Sequence, residues 1–181
     1  MNRVAVLLAL ATLSIVQSAS PQDMDNKSPR IEVGVDSRVE LLSIVFRIAG
    51  AEEYRRGRIP AYSAAVDDYF GRFADEDAVT MVRKLRDQYG ISHDAVVKLA
   101  VHLEAGPGLQ EAVPLDQVTT LGNRWRVNAA RAFLDELREF SKASQFDEFF
   151  EQWQVLFSVT AQRLQAQLGT ADLAWLDEYF G

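Results

Sequence analysis

The chain contains no cysteine, which excludes disulfides, cysteine-ligated zinc or iron–sulfur sites and a thiol nucleophile. Histidine is nearly as scarce, with only His93 and His102. Basic residues are in the minority, 19 Lys and Arg against 26 Asp and Glu for a net charge of -7. A general nucleic-acid binder needs clustered cations to displace counterions from phosphates, so no nucleic-acid partner is expected. Long apolar runs are also missing: the uncharged stretch from Val4 to Val16 falls short of the roughly 20 residues that span a bilayer. What remains is ordinary globular material, 181 residues of which 48% are apolar. A single domain of that size buries roughly 70% of its unfolded surface around a real core.

The amino terminus has the layout of a secretory signal peptide. Met1-Asn2-Arg3 is positive, Val4 to Val16 is apolar, and Gln17-Ser18-Ala19-Ser20 supplies small residues before a polar run. Residues 1–18 are therefore expected to be a signal peptide and 19–30 a polar linker, with Pro21 and Pro29 in it. Residues 31–181 form the expected single, mainly helical domain. A periplasmic or secreted location follows from this layout, with no stable membrane anchor after signal cleavage.

The domain reads as mainly α: an irregular multi-helix domain with one short amino-terminal β-strand. Ile31 to Val35 alternates as a strand does. Ser37-Arg38-Val39-Glu40 fits a capping box, with Ser37 and Glu40 each satisfying the other's amide. The helix it opens runs to about Ala49, burying Leu41, Leu42, Val45, Phe46 and Ile48, and Gly50 stops it. Tyr62, Val66, Tyr69, Phe70 and Phe73 make one helical stripe, and Val79, Val82, Leu85 and Tyr89 another. Asp75, Glu76 and Asp77 suit a helix amino end. After Gly90 a helix is expected over about Ser92 to Glu104, with Val96, Leu99, Ala100 and Leu103 inward. Ala105 to Asn123, with Gly106-Pro107-Gly108 and Pro114, is irregular; a loop of that length is often functional or folds over a surface. Two helices follow, about Val127 to Ala143 and Phe146 to Leu168. The second carries Phe146, Phe149, Phe150, Trp153, Leu156, Phe157, Leu164 and Leu168 at three-to-four spacing, a core stripe rather than a cofactor box.

Tests for catalytic chemistry fail. His93 and His102 fall nine apart on one expected helix, and nine steps of about 100° turn them to opposite sides. Neither belongs to a His-Glu-x-x-His pair. No G-x-S-x-G elbow exists, and Gly106-x-Gly108 lacks the third glycine of a dinucleotide fingerprint. Asp67-Asp68, Asp135-Glu136 and Asp147-Glu148 are adjacent on helices and point about 100° apart, which suits a solvated face better than an acid/base pair. No catalytic, cofactor-binding or metal-ligating residue is assigned.

Four blocks in order carry a family resemblance. IEVGVDSRVELLSIVFRIAG from Ile31 to Gly50, with Glu53-Tyr54 after it, resembles the opening of a bacterial family called domain of unknown function 4932. ISHDAVVKLAVHL from Ile91 to Leu103 resembles that family's middle helix. Asn123-Arg124-Trp125-Arg126 and the helix to Phe150 resemble its central segment, and DLAWLDEYFG from Asp172 to Gly181 resembles the close of its helical half. Members continue into strands and a His-Glu-x-x-His helix, so the resemblance implies a zinc-peptidase-like protein outside the cytoplasm. The positions of that motif have no counterpart here, and no catalytic residue carries over. Zinc is then expected only in a complete family member, with no cofactor in this chain.

Two functions follow as expectations. One is the exported amino-terminal helical region of a zinc-metallopeptidase-like protein, without the catalytic motif and inactive alone. The alternative is a self-contained periplasmic binding or interaction module that meets a peptide or protein partner through the 105–124 loop and an acidic surface. A frame encoding His-Glu-x-x-His after the Gly181 codon would favour the first, and a clean gap the second.

Overall fold

A computed structural model describes residues 32–57, 59–106, 108–118, 121 and 124–169. The expected signal peptide at 1–18, the linker at 19–30, Ile31 and the closing block at 172–181 lie outside the described residues.

Helix α1 (Ser37–Ile48) is the centre of the packing. Leu41, Leu42, Ile44, Val45 and Phe46 are all buried, so apolar side chains occupy most of its circumference, the pattern of a helix enclosed by others. Around it lie α2 (Glu52–Arg55), α3 (Pro60–Phe70), α4 (Asp77–Tyr89) and α5 (Asp94–Ala100). The strongly amphipathic α6 (Val127–Ala143) packs on α4 and sends Phe133 edge-on to Phe46, with ring centroids 6.4 Å apart. Helix α7 (Phe146–Gln152) packs on α6, and α8 (Gln154–Gly169) follows it. The fold is mainly α, as the sequence predicts, and no helix among the described residues is long and apolar enough to cross a membrane.

The start of α1 differs from the expected capping box. The cap is Asp36, whose carbonyl accepts the first helical bond from the Glu40 amide at 2.9 Å. Its Oδ1 accepts from the amides of Arg38 at 2.9 Å and Val39 at 3.4 Å. With Asp36 capping, Glu40 is the fourth helical residue, one place too far along to reach back to the cap. Its side chain is thereby released for another use. The far end matches expectation: Gly50 has φ +93°, and the Ala51 amide closes onto Phe46 O at 3.0 Å.

The expected strand at 31–35 has no ladder partner among the described residues. Glu32 to Asp36 runs without assigned regular structure, and the Val33 amide donates to Gln165 Oε1 of α8 at 3.0 Å. Leu115–Gln117 is a 3-10 turn, and among the described residues the one isolated bridge joins Leu103 to Glu111.

The expected helix over Ser92 to Glu104 is shorter. His93 has φ +47°, which keeps it out of the helix, and Leu103 leaves the helical path to make the bridge with Glu111. The two histidines therefore flank α5 instead of sharing it, which corrects the premise that set them on opposite sides of one helix. His102 Nδ1 lies 2.6 Å from Lys98 O.

The loop after α5 folds over the surface, as one of the sequence readings holds. It is pinned inward by buried Leu109, Leu115 and Leu121. Two arginines of α6 hold it from outside: Arg131 donates to both Glu111 oxygens at 2.6 and 3.0 Å, and Arg138 to Gly108 O and Leu109 O at 2.9 Å each. The last expected helix is two. It breaks at Trp153, where φ is -99° and ψ 1°. In a straight helix, residues eight apart are rotated by about 80°; the break lets Phe149, Trp153 and Phe157 all meet Tyr62, at centroid distances of 6.1, 5.0 and 5.4 Å.

Candidate functional site

Glu40, Ser43, Ile44 and Arg47 recur at three-to-four spacing and form one face of α1. This face opens on a cleft of about 260 Å³. Helix α2 supplies Glu53 and Tyr54, the chain after it Arg56 and Gly57, and α3 supplies Tyr62, Ser63 and Val66. A Cβ at Gly57 would lie 2.3 Å from Ser63 Oγ, so a side chain there would require the serine hydroxyl to turn away. Without one, the turn after α2 closes on α3 with that hydroxyl in place.

Within the cleft lining Tyr62 Oη donates to Glu40 Oε1 at 2.6 Å. Burial pushes the Glu40 carboxyl above its ordinary range, and the tyrosine hydroxyl only partly opposes this. Burial, together with the Glu40 charge, raises the Tyr62 phenol in turn. Tyr54, at the other wall, is pushed up to about 12 by burial and by Glu53. Both phenols therefore stay protonated at neutral pH.

Two other charges of the cleft, Arg47 and Glu53, are already paired. Arg47, with its side chain only 11% exposed, grips Asp67 with Nε and Nη2 at 2.7 Å each and donates Nη1 to Tyr54 O at 3.0 Å. That guanidinium holds the Asp67 carboxyl below its usual value. Burial would raise Glu53, but Arg86 forms a two-point pair with it and the net shift is downward.

A second groove, of about 400 Å³, runs between residues 33–35 and α8. Its polar walls are the neutral side chains of Gln154, Ser158, Gln162 and Gln165. It offers no ionisable group, so the α1–α3 cleft is the stronger candidate.

The acidic neighbours singled out in the sequence do not form acid/base pairs. Asp67 faces Arg47, Asp135 bonds Arg138 at 2.6 Å, and Asp68, Asp147 and Glu148 are exposed. Among the described residues no group of three or more His, Asp or Glu could hold a metal ion. The residue that sequence reasoning misplaced is Glu40, assigned to a cap. The available signal was its place at the head of a polar stripe, with Ser43 and Arg47, on an otherwise apolar helix.

Comparison of the chain with protein-family models, with curated proteins and with solved structures gives no match.

Proposed function

We propose that the chain is a binding region, without chemistry of its own, of a protein that works in the periplasm or outside the cell. The Glu40 cleft is the place where it receives its ligand. One observation carries this reading: a half-buried carboxyl lines a cleft although no helix cap or ion pair holds it there. Burying an ionisable group costs stability unless something offsets it, and such groups cluster at functional sites. The resemblance to domain of unknown function 4932 extends the reading. In that case this helical region would contribute a binding wall beside the zinc-bearing part of a complete family member. As a self-contained module, the same cleft would act alone. The signal-peptide pattern supports the location.

Titration of the isotopically labelled chain with a collection of small polar molecules, followed by amide chemical shifts, tests the proposal. Perturbations are expected to concentrate at Ser43, Ile44, Tyr62, Ser63 and Val66. A collection that shifts none of these signals would sink it.

A further inference from the structure

Around the Glu40 cleft many of the polar hydrogens are already committed. Ser43 Oγ donates to Val39 O at 2.7 Å, Tyr62 Oη to Glu40 Oε1 at 2.6 Å, and Tyr54 Oη to His93 O at 3.4 Å. The donors of Arg47 go to Asp67 and to the backbone, and those of Arg86 to Glu53 and Ile91 O. Beside the exposed Arg56 and the Ser63 hydroxyl, these groups retain lone pairs, because a hydroxyl that donates once can still accept, and a carboxyl has several acceptor sites. Among the described residues Glu40 has one hydrogen bond, from Tyr62. The acceptors gathered around Glu40 fit a ligand group rich in donors.

Charge points the same way. Arg47 with Asp67 and Arg86 with Glu53 cancel as pairs. Among the acids that line the cleft, the one left without a cation is Glu40. The unmatched cation is Arg56, exposed and without an acidic partner among the described residues. A ligand carboxylate entering the cleft would meet the Glu40 charge, with exposed Arg56 and the Ser63 hydroxyl to hold it. The cavity of about 260 Å³ lies under the roughly 300–1,000 Å³ of pockets for drug-sized molecules, so the occupant is small.

We infer that this cleft seats a small primary ammonium group, with Glu40 as counter-ion, the oxygens of Tyr62 and Ser43 as further acceptors, and Ile44 and Val66 against its hydrocarbon. This rests on the binding reading above and narrows it to one ligand class. A free alkylamine and the amino end of a peptide both present that chemistry. Because burial favours the protonated form of Glu40, an ammonium that needs the charged form displaces its proton. Affinity therefore weakens as pH falls through the raised pKa. The other ionisable groups at the cleft, Arg47 with Asp67, Glu53, Tyr54, Arg56 and Tyr62, are paired, permanently charged or neutral across that range.

Calorimetric titration of the purified chain with isoamylamine, the dipeptide Leu-Gly and 4-methylpentanoate tests this. At acidic pH, where Glu40 holds its proton in the free protein, the amine and the dipeptide are expected to bind with proton release, seen as heats that vary with the buffer and fade as the pH is raised, and 4-methylpentanoate is not. The tighter of the first two identifies a free amine or a chain end as the source. Glu40→Gln is expected to lose about 30-fold or more in affinity, and Tyr62→Phe about 5-fold. Thermal melts report whether each variant is folded, and Val155→Ser on exposed α8 serves as the control. The inference is overturned if 4-methylpentanoate binds as well as the amine, if Glu40→Gln binds the amine unchanged, or if neither ammonium probe binds. The binding reading survives those results as long as some other molecule shifts the cleft signals.

Discussion

Glu40 sits where its charged form is disfavoured, and this has a consequence for stability with a definite sign. In the unfolded chain a glutamate titrates near pH 4.3; in the fold, burial raises it. Below the unfolded value both states hold the proton and there is no penalty. Above it the unfolded chain ionises freely while the folded one resists, so stability declines until the folded pKa is passed. Glu40→Gln keeps the shape and the Tyr62 partner but removes the titration. The variant is expected to withstand more urea than the parent at pH 7 and to lose that advantage below about pH 4. A variant less stable than the parent at pH 7 would mean that the Glu40 carboxylate is a structural partner of Tyr62 and that the cleft is incidental. Glu40 also marks a limit of reading residues singly. Ser-x-x-Glu before an apolar run satisfies the capping-box pattern, but Asp36 one position earlier is a better cap, and local spacing does not rank the two.

At the scale of elements that ranking can be measured. Replacing an N-cap acceptor by alanine costs about 1 kcal/mol. Asp36→Ala is expected to lose about that much in denaturant unfolding, and Ser37→Ala less than about 0.5 kcal/mol; the reverse order would restore the capping box. Helices that were legible are those whose periodicity is strong and whose ends carry their own signals. α6 spans Val127–Ala143 as read, with Phe133, Leu134, Leu137 and Phe140 buried on one side. α4 closes at Gly90 in the left-handed conformation. The illegible features were decided by distant contacts. His93 takes φ +47° beside a neighbourhood where Tyr54 reaches its carbonyl. The aromatic stripe of 146–168 bends at Trp153 around a tyrosine from α3. The cleft itself needs α1, α2 and α3 at once, joined by the close approach at Gly57. No window of sequence shows that meeting.

Across the whole molecule burial falls away from α1 toward α8. Leu42, Val45 and Phe46 are wholly buried, whereas Val155 is 77% exposed and Leu164 46%. Phe46 touches Tyr54 on one side and Phe133 on the other, so Phe46→Ala removes a shared partner of α2 and α6 and falls in the range of about 3–5 kcal/mol. Helix α8 has α7 as its main neighbour, and across its outer face lies the 32–36 segment, tied by the Val33 amide to Gln165. Local opening takes the least buried units first. Amide hydrogen exchange is therefore expected to be slowest in α1, α4 and α6 and fastest in α8. The Val33 amide should follow α8, because its hydrogen bond is lost whenever that helix opens. Gln165→Ala should speed exchange at Val33 and leave α1 unchanged. If α8 instead exchanges as slowly as α1, independent of protein concentration, its exposed valines are covered within the chain and the gradient from α1 outward is wrong.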